Sequence, residues 1–138
     1  MKYLIITLLL FLASCSSEKE MNIENTPKII EELSSLKLEV KFKEKLPFYP
    51  GAPNEAIREA AQAVIDSLID DLVHTPSSEL NISRVLKLFE ASGVLLQYMD
   101  SEELERGLEY MEEIMDIYSI ESSNGLLNDL RYGFDPEN

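Results

Sequence analysis

Residues 54–74 read NEAIREAAQAVIDSLIDDLVH. Ile57, Ala61, Val64, Leu68 and Leu72 recur at intervals of three and four, flanked by Ala60, Ile65 and Ile69. Arg58, Glu59, Gln62, Asp66, Asp70 and Asp71 fill the remaining positions. That spacing lays one apolar stripe along an α-helix and leaves its back to water. Asn54 offers a side-chain oxygen to the free amides of the first turn, and Thr75-Pro76-Ser77 ends the segment. A stripe this regular has to be covered, and the rest of the chain supplies further helices to cover it.

Downstream, a third helix is expected from about Ser78 to Tyr98. Val85, Leu86, Leu88, Phe89, Leu95 and Leu96 spread over more than one face, which suits a central helix. Asp100 and Glu103 have capping-box spacing, with Ser101 as an alternative cap. The fourth helix then runs to about Tyr118, with Leu104, Leu108, Met111, Met115 and Tyr118 as its buried seam. Gly107 sits beside that seam. A glycine inside a helix costs about 1 kcal/mol against alanine, a cost that close approach of another helix offsets. A short last helix holds Leu126, Leu127 and Leu130. Ser122 or Ser123 caps it, and Gly133 is a left-handed stop with Phe134 folding back.

Upstream, Thr26-Pro27 marks a helix start. Ile29, Ile30, Leu33 and Leu36 keep helical spacing, whereas Leu36, Leu38, Val40 and Phe42 alternate with charged residues. The first helix therefore ends near Ser35 or continues to about Phe42, and the longer form is expected. Phe48-Tyr49-Pro50-Gly51-Ala52-Pro53 breaks any helix and connects it to the second. The fold class that follows is all-α: an antiparallel bundle of four main helices plus a short C-terminal helix.

The N-terminus has a different character. Lys2 precedes an almost wholly apolar run, Tyr3 to Ala13, too short to span a bilayer as a helix of about 20 residues. A positive start and a short apolar stretch form a secretory signal. Leu12-Ala13-Ser14-Cys15 then resembles the bacterial lipobox, around the only cysteine of the chain. The resemblance implies diacylglycerol on the Cys15 sulfur, cleavage after Ser14 and acylation of the new amino terminus. Two or more acyl chains hold a protein stably on a membrane where one does not. Ser16, standing where an Asp resembles an inner-membrane retention signal, implies the outer membrane. Residues 1–14 are thus expected to be a signal peptide, 15–25 the lipidated cysteine and a polar tether, and 26–138 the helical domain. The ten tether residues reach about 35 Å when extended.

The full chain of 138 residues carries 26 acidic and 12 basic residues, a net charge of −14. Cleavage removes only Lys2 among them and leaves −15. Such a surface repels nucleic acid and anionic lipid alike, so attachment to the membrane falls to the acyl chains on Cys15. The charge fits a basic protein partner, and it also serves solubility.

Tyr49-Pro50-Gly51, the long helices, Glu121-Ser122-Ser123-Asn124-Gly125-Leu126-Leu127-Asn128 and Tyr132-Gly133 together resemble a bacterial family of small helical domains. The resemblance spans roughly residues 27–136. That family has no assigned function, so it implies a helical fold and no activity.

Chemistry is sparsely signalled. His74, the only histidine, falls at a helix C-terminus, where it interacts favourably with the helix dipole. Without partners at catalytic or metal-binding spacing it makes neither an active site nor a zinc site. No phosphate loop, nucleophile elbow or calcium loop occurs, and no metal or cofactor is expected. Asn81-Ile82-Ser83 matches a glycosylation acceptor, which means little on a bacterial lipoprotein. Tyr49, Tyr98, Tyr110, Tyr118 and Tyr132 either line a groove or bury their rings with wet hydroxyls.

One constellation stands out. Glu102, Glu105, Glu109, Glu112 and Asp116 recur at three- and four-residue spacing on the fourth helix, opposite its apolar seam, with Glu113 beside them. Arg106 is the only basic residue there. Like charges so spaced cost a few tenths of a kcal/mol per pair, and those near the C-terminal end also oppose the dipole. The stripe reads first as a solvated face; it is also the candidate partner-binding face for a basic protein, and a divalent-cation site is the remaining alternative, disfavoured because a helix face spreads its oxygens apart. The expected function is a lipid-anchored, non-enzymatic cell-envelope protein that binds a protein partner, inhibitor or immunity-like roles included. The alternative is an envelope enzyme or small-ligand carrier with a pocket between helices.

Overall fold

The structure, a computed structural model, describes residues 22–133. Cys15, its lipobox, residues 15–21 of the tether and Phe134 lie outside them. The described residues form five helices: α1 (Pro27–Leu38), α2 (Glu55–His74), α3 (Ile82–Gln97), α4 (Ser101–Tyr118) and α5 (Leu126–Tyr132). The fold is the expected all-helical bundle. α3 packs on α2, α4 and α5, while α1 packs on α2 and α4. Among the described residues the only β pairings are two isolated bridges, Asn22 with Asn81 and Lys45 with Tyr49.

The helix starts follow their capping residues. Thr26, Asn54 and Asn81 each accept a bond from an amide three residues on, Ile29, Ile57 and Arg84. α3 accordingly begins at Ile82 rather than near Ser78. On α2 the buried residues are Ala61, Ile65, Leu68, Ile69 and Leu72. Ile65 and Ile69, read as flanks, are central, and Ile57 and Val64 are half-buried instead. Gly107 does allow a close approach: a Cβ there would run into the side chain of Leu96 on α3.

α1 is shorter than expected and stops at Leu38, so the extension to Phe42 is corrected. Beyond it the backbone finds partners other than helical ones. The Lys41 amide donates to Gln62 Oε1 at 3.1 Å, and Arg58 Nη1 donates to the Lys41 carbonyl at 3.1 Å. Phe42 turns into the left-handed region, φ 58°, and its amide donates to the Tyr110 hydroxyl at 3.1 Å. The turn drives the Phe42 ring into the core, edge-on to Tyr110 with centroids 5.3 Å apart. It also buries Lys41 completely. Its ammonium donates to Asp66 Oδ1 at 2.7 Å and to the Lys37 and Glu39 carbonyls at 3.0 and 3.1 Å. The period-two pattern records this extended exit: Leu36 and Phe42 are buried, Leu38 and Val40 exposed.

Three tyrosine hydroxyls tie the N-terminal part of the chain to α4. Tyr118 donates to Asn25 Oδ1 at 2.7 Å, Tyr110 accepts from Phe42, and Tyr49 donates to Glu103 Oε1 at 2.8 Å. Burial pushes the Tyr118 hydroxyl up to about 12, so it remains a donor at any ordinary pH. Burial first, and then the Glu103 carboxylate, raise Tyr49 as well. Asn25 also donates to the Leu72 carbonyl at 2.9 Å. Residues 22–25, assigned above to the tether, therefore make contacts with the bundle.

Candidate functional site

α4 buries Gly107, Leu108, Tyr110, Met111, Ile114, Met115 and Tyr118, and this fixes which carboxylates face outward. Glu103 is the exception. It is 1% exposed and accepts the Tyr49 hydroxyl bond, so it does not close a capping box; Asp100 is the N-cap residue but makes no side-chain cap bond. Of the sequence-derived stripe, Glu102, Glu112 and Asp116 are exposed, and Glu105 and Glu109 are half-buried.

The middle of the stripe, Glu105, Glu109 and Glu112, is neutralised within the fold. Arg131 on α5 donates to Glu105 Oε2 at 2.6 Å and reaches Glu112 at 3.8 Å. Arg106 pairs with Glu109 and lies over the Tyr110 ring, 4.2 Å from its centroid. Burial works against the Arg106 charge, and Glu109 and Tyr110 together more than offset it; the Glu105 hydrogen bond likewise holds Arg131 charged. Arg106 Nε is buried without a hydrogen-bond partner.

The C-terminal part is different. Asp116 and the half-buried Glu113 face α1 across a groove of about 530 Å³, where Glu31, Glu32 and Glu39 form the other wall. Leu36 and Ile117 contribute its apolar surface. Burial raises the Glu113 carboxyl above its ordinary range, and the nearby Arg106 charge only partly counters that. Among the described residues the one cation lining the groove is Lys28, its side chain 82% exposed and 3.7 Å from Glu32. The sequence reading missed the α1 carboxylates. Their spacing along α1 was legible, but which helix they would face was not.

Two further hollows border α4. One of about 520 Å³, toward α5, contains Glu112, Asp116 and also Arg131. The other, about 260 Å³, lies between the exposed Phe48 and Tyr49 on one side and Glu102, Glu105, Arg106 and Glu109 on the other. It is smaller than the roughly 300–1,000 Å³ usual for small-molecule sites. Among the described residues no group of three or more His, Cys, Asp or Glu side chains is placed to hold a metal ion. No described helix is long and apolar enough to cross a membrane. His74 is exposed, and its Nδ1 lies 2.7 Å from the Asp70 carbonyl oxygen one turn earlier.

Comparison with known proteins agrees with the helical fold and adds no activity. The family model described as "Domain of unknown function (DUF4844)" matches residues 24–135. No curated protein matches the chain. The crystal structure of a DUF3571 family protein from Acinetobacter baumannii is similar, with a TM-score of 0.68 and 23% identity. That likeness covers 76% of this chain and 89% of the other, and it speaks to the fold alone.

Proposed function

The chain belongs to the DUF4844 family, a domain of unknown function, and we propose that it acts by binding a basic protein partner rather than by catalysis. In this reading it is a lipoprotein of the bacterial cell envelope, held by acyl chains on Cys15, on the outer membrane where the cell has one. The supporting observation is the carboxylate surface of α4. Glu102 and Asp116 stand exposed on it, and across the groove from Asp116 the α1 carboxylates Glu31 and Glu32, with Glu39 just past the helix end, add to the same field. Charge left unneutralised costs the fold self-repulsion, and a complementary partner relieves it while gaining a faster encounter. An inhibitor or immunity-like role against a basic toxin falls within this reading.

The test is capture of envelope proteins by the native chain and by a version with the exposed Glu102 and Asp116 changed to Lys. Loss of a basic partner on reversal is the expected result; an unchanged set of partners refutes the acidic face. Anchoring is checked separately. The Cys15→Ala chain should leave the membrane fraction, and its continued sedimentation with membranes would count against lipidation.

A further inference from the structure

Three hollows border α4, and they differ in what already fills their electrostatic demand. The one toward α5 contains Arg131, and the notch beneath Phe48 contains Arg106. The α1–α4 groove has no arginine. Among the described residues Glu31, Glu32, Glu39, Glu113 and Asp116 line it with Lys28 as the one lining cation, whose contact with Glu32 is long and open to water, while Arg106 and Lys45 act on Glu113 from outside the lining. An exposed pair of that kind contributes little. The groove is also not purely polar. The half-buried Ile117 lines it beside the carboxylates, with the buried Leu36 beneath. Where α1 ends, next to Glu39, Leu38 and Val40 are 86% and 53% exposed. Apolar surface bordered by carboxylates is complementary to a segment with an apolar stripe flanked by cations.

We infer that the groove between α1 and α4 is the docking site for an amphipathic, lysine- or arginine-rich segment of the partner protein, which sets its apolar side on the half-buried Ile117, over the buried Leu36, and its cations against Glu31, Glu39 and Asp116. This rests on the proposed binding of a basic partner and gives that binding a place and a shape. The half-buried Glu113 carboxylate has lost hydration, and an incoming cation would add to the Arg106 and Lys45 charges that already offset that loss in part.

The probe is a labelled synthetic helix of leucines and lysines with apolar residues at three- and four-residue spacing. It is titrated onto the full lipidated chain in zwitterionic nanodiscs, with empty discs as background. The triple variant Glu31→Lys, Glu39→Lys, Asp116→Lys changes only exposed positions and should retain the helical circular dichroism of the native chain. It should weaken binding at least about tenfold, whereas Glu102→Lys on the other flank of α4 changes it less than about twofold. Hydrogen exchange should slow over 28–39 and 113–117. A peptide of equal charge with serines for the leucines should bind at least about tenfold more weakly. If protection falls on 102–112 and Glu102→Lys is the damaging change, the groove is wrong while the acidic face survives. Equal weakening by both sets of changes, or equal binding of the serine peptide, also overturns the groove, since binding would then follow net charge alone. No binding of either peptide to the native chain overturns the groove and counts against the basic-partner reading with it.

Discussion

At the residue scale, the informative side chains are charged ones in places where charge is costly. Lys41 is fully buried and makes three bonds, one to the partly exposed carboxylate of Asp66. Removing one member of a buried pair costs about 3–5 kcal/mol, because the other is left without its countercharge. The two partners are unequal here. Asp66→Ala strands a fully buried ammonium, whereas Lys41→Met leaves a carboxylate that water and Gln62 still reach. Urea denaturation should therefore show the larger loss for Asp66→Ala, near the top of that range, and about 1–2 kcal/mol less for Lys41→Met. Glu113 gives a pH signature. Its folded carboxyl is raised by burial, so between its ordinary value and the raised one the folded state holds the proton more tightly. Stability from this group falls as pH rises through that window, and the penalty is fully present above the raised value. Glu113→Gln should raise the melting temperature at pH 7, and the gain should fade as the pH drops below the ordinary carboxylate range.

At the element scale, glycine placement and helix ends carry the packing. Gly107 lies where α4 meets α3, and the space for its Cβ is held by Leu96, which is 0% exposed and has no room to swing away. Gly107→Ala adds about 1 kcal/mol of helix propensity and about 1–3 kcal/mol of overpacking. A net destabilisation of about 1 kcal/mol is expected in chemical denaturation; a stabilised variant would mean that the helices are not in close contact there. The glycine, the α4 seam and the Asn54 cap were legible in the sequence because each is set by neighbours within one or two turns. The end of α1 was not. Phe42 leaves the helical path for partners that lie 68 residues away at Tyr110 and 21 away, from Lys41, at Gln62. Glu103 was misread for the same reason, since local spacing makes it a cap and only the fold brings it the Tyr49 hydroxyl, 54 residues distant.

At the scale of the whole molecule, the bundle sorts its carboxylates into those it answers internally and those it leaves outward. Glu105, Glu109 and Glu112 meet arginines, one of which, Arg131, comes from α5. Asp116 instead meets more negative charge across the α1 groove. Periodicity identified the stripe, but no pattern within α4 distinguishes its two halves, because the distinction is made by which helices stand beside it. The most direct measurement is photo-crosslinking in intact host cells, with Asp116 replaced by p-benzoyl-phenylalanine and exposed Lys87 on α3 replaced likewise as the control. The expected result is one discrete adduct from position 116, absent from position 87, whose partner is a basic protein. No adduct at 116, the same adducts from both positions, or a partner that is itself acidic would contradict an acidic docking face.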